Sequence, residues 1–207
     1  MINNLSILIP ARGGSKRIKN KNIVEVGGRP LMAYCITEAL KITSNVYVST
    51  DNHKIRSVAL NYGAKVIKRP SALATDTSTT NSVITHFLKE IDVDCFACVQ
   101  PTSPLLKAEY LLQGFKKIKD MDYNSIISVY EDKQFCWSKD GKPMNFELGN
   151  RKRTQDIPSW YVENGAFYIT TKNDFSVDNK LVNGKVGFVQ MPKINSVDID
   201  GLPIAKA

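Results

Sequence analysis

Between Ala11 and Asn22 the chain gathers Arg12, Ser15, Lys16, Arg17, Lys19 and Lys21 around Gly13-Gly14. Glycine lets a backbone come close to a bulky anion. Successive amide N–H groups in such a loop form an anion-binding nest. Lys and Arg add countercharge, Arg with a bidentate fork. The apolar run Leu5 to Ile9 directly before it reads as a buried strand, ended by Pro10, which has no N–H for a ladder. The chemistry expected here is a polyphosphate cradle at the carboxyl end of a first strand. Neither G-x-x-x-x-G-K-[ST] nor G-x-G-x-x-G occurs, which argues against a P-loop and a dinucleotide site.

Five other stretches carry candidate chemistry. Arg69-Pro70 opens a loop that ends in Asp76-Thr77-Ser78-Thr79-Thr80, whose hydroxyls also read as a helix N-cap. Gln100-Pro101-Thr102-Ser103-Pro104 follows a strand-like run and offers uncharged hydrogen bonds to a ribose or sugar, with prolines that pre-order the turn. Arg151 to Gln155 is basic, and Glu163-Asn164-Gly165-Ala166-Phe167-Tyr168-Ile169 begins polar and ends apolar. Asp198-Ile199-Asp200 puts two carboxylates on one face if it lies on a strand, where both could reach one hard cation. By itself that pair reads more readily as a polar strand end.

Alternating elements position these stretches. Helices are expected from Pro30 to about Ile42, Asn52 to Tyr62, Thr79 to Ile91 and Lys107 to Ile118. Strands are expected at Ile23–Val26, Val46–Ser49, Ala64–Ile67, Phe96–Val99, Ser125–Val129, Tyr161–Thr170 and Lys185–Met191. Such alternation implies βαβ units and a doubly wound, mostly parallel α/β sheet, with ligands at the carboxyl ends of its strands. Residues 131–156 break the rhythm: Phe135, Trp137 and Phe146 sit among glycines and charges, as in an extended interface arm.

The 207 residues suit a single domain, 1–207, with that arm as an appendage. The net charge of +8 raises the possibility of a nucleic-acid partner, but the basic residues are dispersed apart from the first loop and Arg151-Lys152-Arg153. A small polyanionic substrate accounts for two local clusters better. No apolar run approaches the ~20 residues of a membrane span, and Met1-Ile2-Asn3-Asn4 has no basic n-region, so a cytoplasmic location is expected. Cys95 and Cys98 form a C-x-x-C inside an apolar strand, where residues three apart face opposite ways. They are expected to be ordinary buried thiols, and His53 and His86 lack ligand-like spacing.

In chain order, these motifs resemble the acylneuraminate cytidylyltransferase family, the CMP-sialic acid synthetases and their relatives, over nearly the whole chain. The resemblance implies a Rossmann-like nucleotidyltransferase that moves CMP from CTP to the anomeric hydroxyl of an acidic 2-keto sugar and releases pyrophosphate. It implies that Arg12, Ser15, Lys21 and Asn22 hold the triphosphate and nucleoside, Arg12 and Lys21 as catalytic cations. Arg69, with Ser78 and Thr80, would read the cytosine; Gln100, Thr102 and Ser103 would bind the ribose and sugar end; and Asp198 and Asp200 would hold Mg2+. The family's arginine-rich segment ends in Arg-Gln before N-G-A-x-Y-I. Here Thr154 precedes Gln155, so the sugar-carboxylate arginine is carried to Arg153, with Gln155 and Asn164 beside it. The resemblance also implies a homodimer built through the arm, with no nucleic acid and no membrane as partner. Legionaminic, pseudaminic and 3-deoxyoctulosonic acids stay open as acceptors. A D-x-D glycosyltransferase and a nucleic-acid-binding domain are the readings from other classes.

Overall fold

A seven-stranded sheet, in the order β5-β4-β1-β6-β8-β7-β9, organises the computed structural model, which describes residues 4–15 and 18–200. Lys16 and Arg17 of the basic loop lie outside the described residues. The strands are β1 (Leu5–Pro10), β4 (Val46–Thr50), β5 (Lys65–Lys68), β6 (Cys95–Val99), β7 (Ser125–Asp132), β8 (Trp160–Thr171) and β9 (Val186–Gln190). β2 (Glu25–Val26) and β3 (Arg29–Pro30) form a separate two-stranded hairpin around Gly27-Gly28. Every neighbouring pair in the large sheet is parallel except those of β8, which runs against both β6 and β7.

Helices α1 (Leu31–Leu40), α2 (His53–Asn61) and α4 (Ala108–Asp120) cover one face, and α3 (Thr80–Glu90) and α5 (Lys172–Asp178) the other. The central strands explain this layering. β6 is buried along its whole length, and its side chains alternate between two cores. Cys95 and Ala97 pack with α1, α2 and α4, while Phe96 and Cys98 pack with α3 and α5. Phe87, Phe96 and Phe175 form an edge-on aromatic chain through the second core, with centroids 5.9 and 6.0 Å apart.

The sequence boundaries shift in a few places. β1 extends through Pro10, which pairs with Ser49 as a register partner, because a residue without an N–H still offers its carbonyl side. The run expected as a strand from Ile23 begins with a 3₁₀ turn, Lys21–Ile23, and only Glu25–Val26 pairs as a strand. β7 continues to Asp132, so the irregular arm occupies 133–159 rather than 131–156.

In the arm, Phe135 and Trp137 stack edge-on against Phe146 at 4.7 and 4.9 Å, and the Arg151 guanidinium lies 4.5 Å from the Phe135 ring. Trp137, Met144 and Leu148 remain exposed.

Candidate functional site

The strand order reverses at β1: the chain steps outward to β4 and β5, then returns to the other side of β1 as β6. A crevice opens at such a switch point, outside the carboxyl ends of the strands. The loops that leave β1, β5 and β6 there carry Arg12, Arg69 and Gln100 respectively. The resulting cleft, about 390 Å³, is lined by Arg12, Ser15, Lys21, Asn22, Arg69, Ser78, Thr80, Gln100, Thr102 and Asp200.

The first loop is shaped by close approach. A Cβ on Gly13 would lie 2.7 Å from the Asn52 side chain, which caps α2 through Lys54 and Ile55 N–H. Gly13 N–H donates to Asp51 Oδ1 at 2.9 Å, and Asn22 Nδ2 donates back to the Arg12 carbonyl at 3.0 Å, which closes the loop on itself. Arg12 Nη1 donates to Asp76 Oδ1 at 2.7 Å, and Lys21 Nζ to Asp200 Oδ1 at 2.7 Å. Arg12 and Lys21 are thus each held by a carboxylate, and Lys21, with three N–H donors, keeps donors for a phosphate beside its bond to Asp200.

Arg69 is buried and fixed by its own neighbour strand. Nη2 donates to the Ser49 carbonyl at 2.7 Å and Nε to Ser49 Oγ at 3.1 Å. Burial lowers its pKa from the usual arginine value; Asp51 opposes that shift and Arg12 adds to it. Charge this deeply desolvated and this rigidly held suits recognition of a planar, hydrogen-bonding partner. Ser78 serves its own loop: its hydroxyl bonds Thr75 N–H and Oγ1 and the Ala72 carbonyl, so it shapes the wall and orders the backbone there.

A second cavity, about 640 Å³, adjoins the first and shares Lys21, Thr80, Gln100, Thr102 and Asp200 with it. Asp198, Glu163, Tyr168 and Lys180 line the remainder. The D-x-D is not on a strand, as expected from sequence, but in an extended segment after a 3₁₀ turn at Lys193–Ser196. The alternation nevertheless holds. Ile199 is 2 % exposed and packs with Ile18 and Leu31, while Asp198 and Asp200 are exposed on the cavity side. Ile199 N–H donates to the Thr102 carbonyl at 2.9 Å, which ties the two carboxylates to the Gln100–Pro104 turn.

The sequence model of the cytidylyltransferases matches residues 6–182, and so spans β1, both arginine loops and the Gln100 turn. The chain belongs to the cytidylyltransferase family. N-acylneuraminate cytidylyltransferase A of Danio rerio is 36 % identical over 207 residues, covering 95 % of this chain and 48 % of that protein. The chain spans about half the length of the curated N-acylneuraminate relatives it matches. The pseudaminic acid cytidylyltransferase of Campylobacter jejuni is 30 % identical, covering 93 % of this chain and 89 % of its own. A solved CMP:2-keto-3-deoxy-manno-octonic acid synthetase complexed with CTP shares the fold at a TM-score of 0.67 and 13 % identity, covering 92 % of this chain and 90 % of that one.

Not every expected residue of this cytidylyltransferase reaches the crevice. Ser103 is 2 % exposed, and its N–H donates to the Gln100 carbonyl inside the turn. Asn164 is buried as well; its Nδ2 donates to Ser196 Oγ at 2.9 Å and its Oδ1 accepts from Ala166 N–H. It therefore anchors the segment that carries Asp198 instead of facing the cavity. Arg153 and Gln155 sit on the exposed arm, where Arg153 Nε pairs with Asp156 at 2.7 Å and the Gln155 carbonyl accepts from Lys133; neither lines the crevice of its own chain.

Conversely, Glu163 and Tyr168 line the second cavity, and nothing in their sequence context marks either as a site residue. The Tyr168 hydroxyl donates to Glu163 Oε1, and burial, with Glu163 beside it, raises the phenol's pKa. Residues five apart on a regular strand face opposite ways. The β7–β8 register shift and Gly165 at φ 69° reverse the alternation between them, so the pairing has no period in the sequence.

Proposed function

We propose that this cytidylyltransferase transfers CMP from CTP to the anomeric hydroxyl of a 2-keto acid sugar, an N-acylneuraminate, releasing pyrophosphate. One observation carries the reading: Arg12 and Lys21 of the first loop, buried Arg69 and the uncharged Gln100 turn meet in one cleft, and Asp198 and Asp200 face the adjoining cavity. The two cavities suit a nucleotide and an acceptor side by side.

In the reaction a P–O bond forms between the sugar oxygen and the α-phosphorus, the bond to the β-phosphate oxygen breaks, and the sugar hydroxyl loses its proton. Arg12 and Lys21 line the cleft, and as preorganised cations they would stabilise the negative charge that grows on the phosphoryl oxygens. Arg69 holds the base end, and Gln100 with Thr102 the ribose. Two exposed carboxylates on one face suit Mg2+, which binds through one or two carboxylates and completes its shell with substrate phosphates and water. Asp198 and Asp200 are the ligands proposed, a pair whose shell would be completed by substrate and water oxygens; among the described residues no group of three or more His, Cys, Asp or Glu could hold a metal ion. Bound there, Mg2+ supplies charge neutralisation and acidifies a nearby hydroxyl.

The pseudaminic acid relative, alike over nearly its full length, favours a second acceptor of the same class. We further propose a cytoplasmic homodimer joined through the arm, with Arg153 completing the acceptor pocket of the partner subunit. Among the described residues no helix is long and apolar enough to cross a membrane. The test is pyrophosphate release with each of the four nucleoside triphosphates against N-acetylneuraminic, legionaminic, pseudaminic and 3-deoxyoctulosonic acids. CTP alone should support turnover, with one or two sugars; equal turnover with UTP or GTP would overturn the assignment.

A further inference from the structure

Arg12 faces the nucleotide cleft, and the carboxylate that holds it, Asp76, lies outside the cleft's lining. Its Nη1 donates to Asp76 Oδ1 at 2.7 Å and lies 3.5 Å from the Ala74 carbonyl. Among the described residues, the guanidinium's hydrogen bonds are made by Nη1. A guanidinium has five N–H donors in a fixed plane, so fixing Nη1 leaves the Nε–Nη2 edge for the fork that takes two phosphate oxygens. The platform that bears Asp76 is itself fastened. The Ser78 hydroxyl bonds Thr75 twice, at 3.1 and 2.8 Å, and backbone N–H groups of Leu73 and Ala74 close 3₁₀ turns onto Pro70 and Ser71.

We propose that Asp76 is a positioning residue: its carboxylate sets the plane of the Arg12 guanidinium so that the Nε–Nη2 edge meets the phosphoryl oxygens of the bound triphosphate. The proposal rests on the reading that Arg12 serves CTP. It gives the loop between β5 and α3 a second task beside the base, because the same loop aims a group on the phosphate side.

The experiment uses the whole chain as wild type, Asp76→Ala, Asp76→Asn, Arg12→Ala and the Arg12→Ala/Asp76→Ala double variant. Pyrophosphate release gives kcat and KM, calorimetric titration of CTP gives Kd, and a thermal melt checks folding. Losing a whole stabilising donor costs about 10²- to 10³-fold in kcat, and misaiming one should cost less, about tenfold. Asp76→Ala should therefore lower kcat about tenfold with CTP Kd within about threefold of wild type. Asp76→Asn should stay within about threefold in kcat, since the amide oxygen still accepts from Nη1. In the Arg12→Ala background the Asp76→Ala loss should disappear, which a purely structural role would not produce.

A kcat within twofold of wild type in Asp76→Ala overturns the proposal. So does tighter CTP binding, because the carboxylate would then be competing with phosphate for Arg12. The same fold loss in the Arg12→Ala background, or a melting midpoint below the assay temperature, would make Asp76 structural and overturn it too. A wild-type chain that releases no pyrophosphate from CTP with any of the sugars overturns the functional reading itself, and an active wild type with an indifferent Asp76→Ala overturns only the role of Asp76.

Discussion

Replacing Ile199 with Ala should undock the carboxylate pair without unfolding the protein. Ile199 is 2 % exposed, in a small cluster whose other buried members are Ile18 and Leu31. Polar ties of the segment it closes include Ile199 N–H to Thr102 O at 2.9 Å, Asn164 Nδ2 to Ser196 Oγ at 2.9 Å, Asn195 Nδ2 to Leu105 O at 2.9 Å and Lys21 Nζ to Asp200 Oδ1 at 2.7 Å, the last on an exposed carboxylate. Truncating a buried Ile to Ala costs about 2–5 kcal/mol. A small, partly open cluster collapses around the gap, which places the cost at the low end, about 2 kcal/mol. That corresponds to roughly a thirtyfold rise in the undocked population, at about 1.4 kcal/mol per tenfold.

Hydrogen exchange reads this directly. Protection of the Ile199 amide should fall about thirtyfold, while amides of β1 and β6, which open only with the whole sheet, change by less than about threefold. Because Asp198 and Asp200 flank Ile199, the Mg2+ concentration for half-maximal activity should rise several-fold in the same variant. Unchanged protection at Ile199 would refute the claim that this side chain docks the segment. An equal loss in β1 and β6 would refute the claim that it docks locally.

Asp200→Asn should lower kcat far more than it weakens CTP binding, because charge at this position matters most in the transition state; undiminished turnover at saturating Mg2+ would count against it. Deleting 133–148 should give a monomer by light scattering that still binds CTP but loses acceptor binding, whereas an active monomer would refute the arm's role. Glu38 on α1 accepts from the Ala108 N–H that opens α4 at 2.9 Å and from Lys41 at 2.6 Å. Burial raises its pKa, but Lys41 and the Ala108 N–H outweigh that and leave it below the usual Glu value of 4.5. A lowered carboxylate pKa contributes stability above the unfolded value that is lost as pH falls through the folded one. Glu38→Gln should thus melt lower than wild type at pH 7 by an amount equivalent to about 0.5 kcal/mol, the scale of a solvent-screened pair. That gap should close as the pH falls below 4.5; a gap independent of pH would refute the linkage.

Local chemistry made most of the sheet legible. Apolar runs closed by Pro10, by Ser49-Thr50-Asp51 and by the Gln100 turn marked strands whose ends converge, and Asn52 and Thr79 cap helices where their types predict. α5 escaped because it is seven residues long and buries only Phe175, too short for a helical period to register. The alternation through Asp198-Ile199-Asp200 was readable, but not its support, since Ile199 packs on residues far away in sequence. Ser103 and Asn164 look like ligand groups in the sequence because polar residues beside a site look alike there; burial separates those that hold the backbone from those that face the cleft. The Glu163–Tyr168 pairing depends on a strand irregularity, and the Arg12–Asp76 bond spans 64 positions, so neither leaves a local pattern.

The central claim is that CTP and an acidic 2-keto sugar meet across the two adjoining cavities. The most direct measurement follows the phosphorus atoms by 31P NMR, with CTP, Mg2+ and each acceptor in turn. The account predicts that the three CTP resonances give way to pyrophosphate and a single new phosphodiester resonance, in equal amounts and only when the acceptor is present. Pyrophosphate released without a sugar, or a new phosphodiester formed equally from UTP, would contradict it.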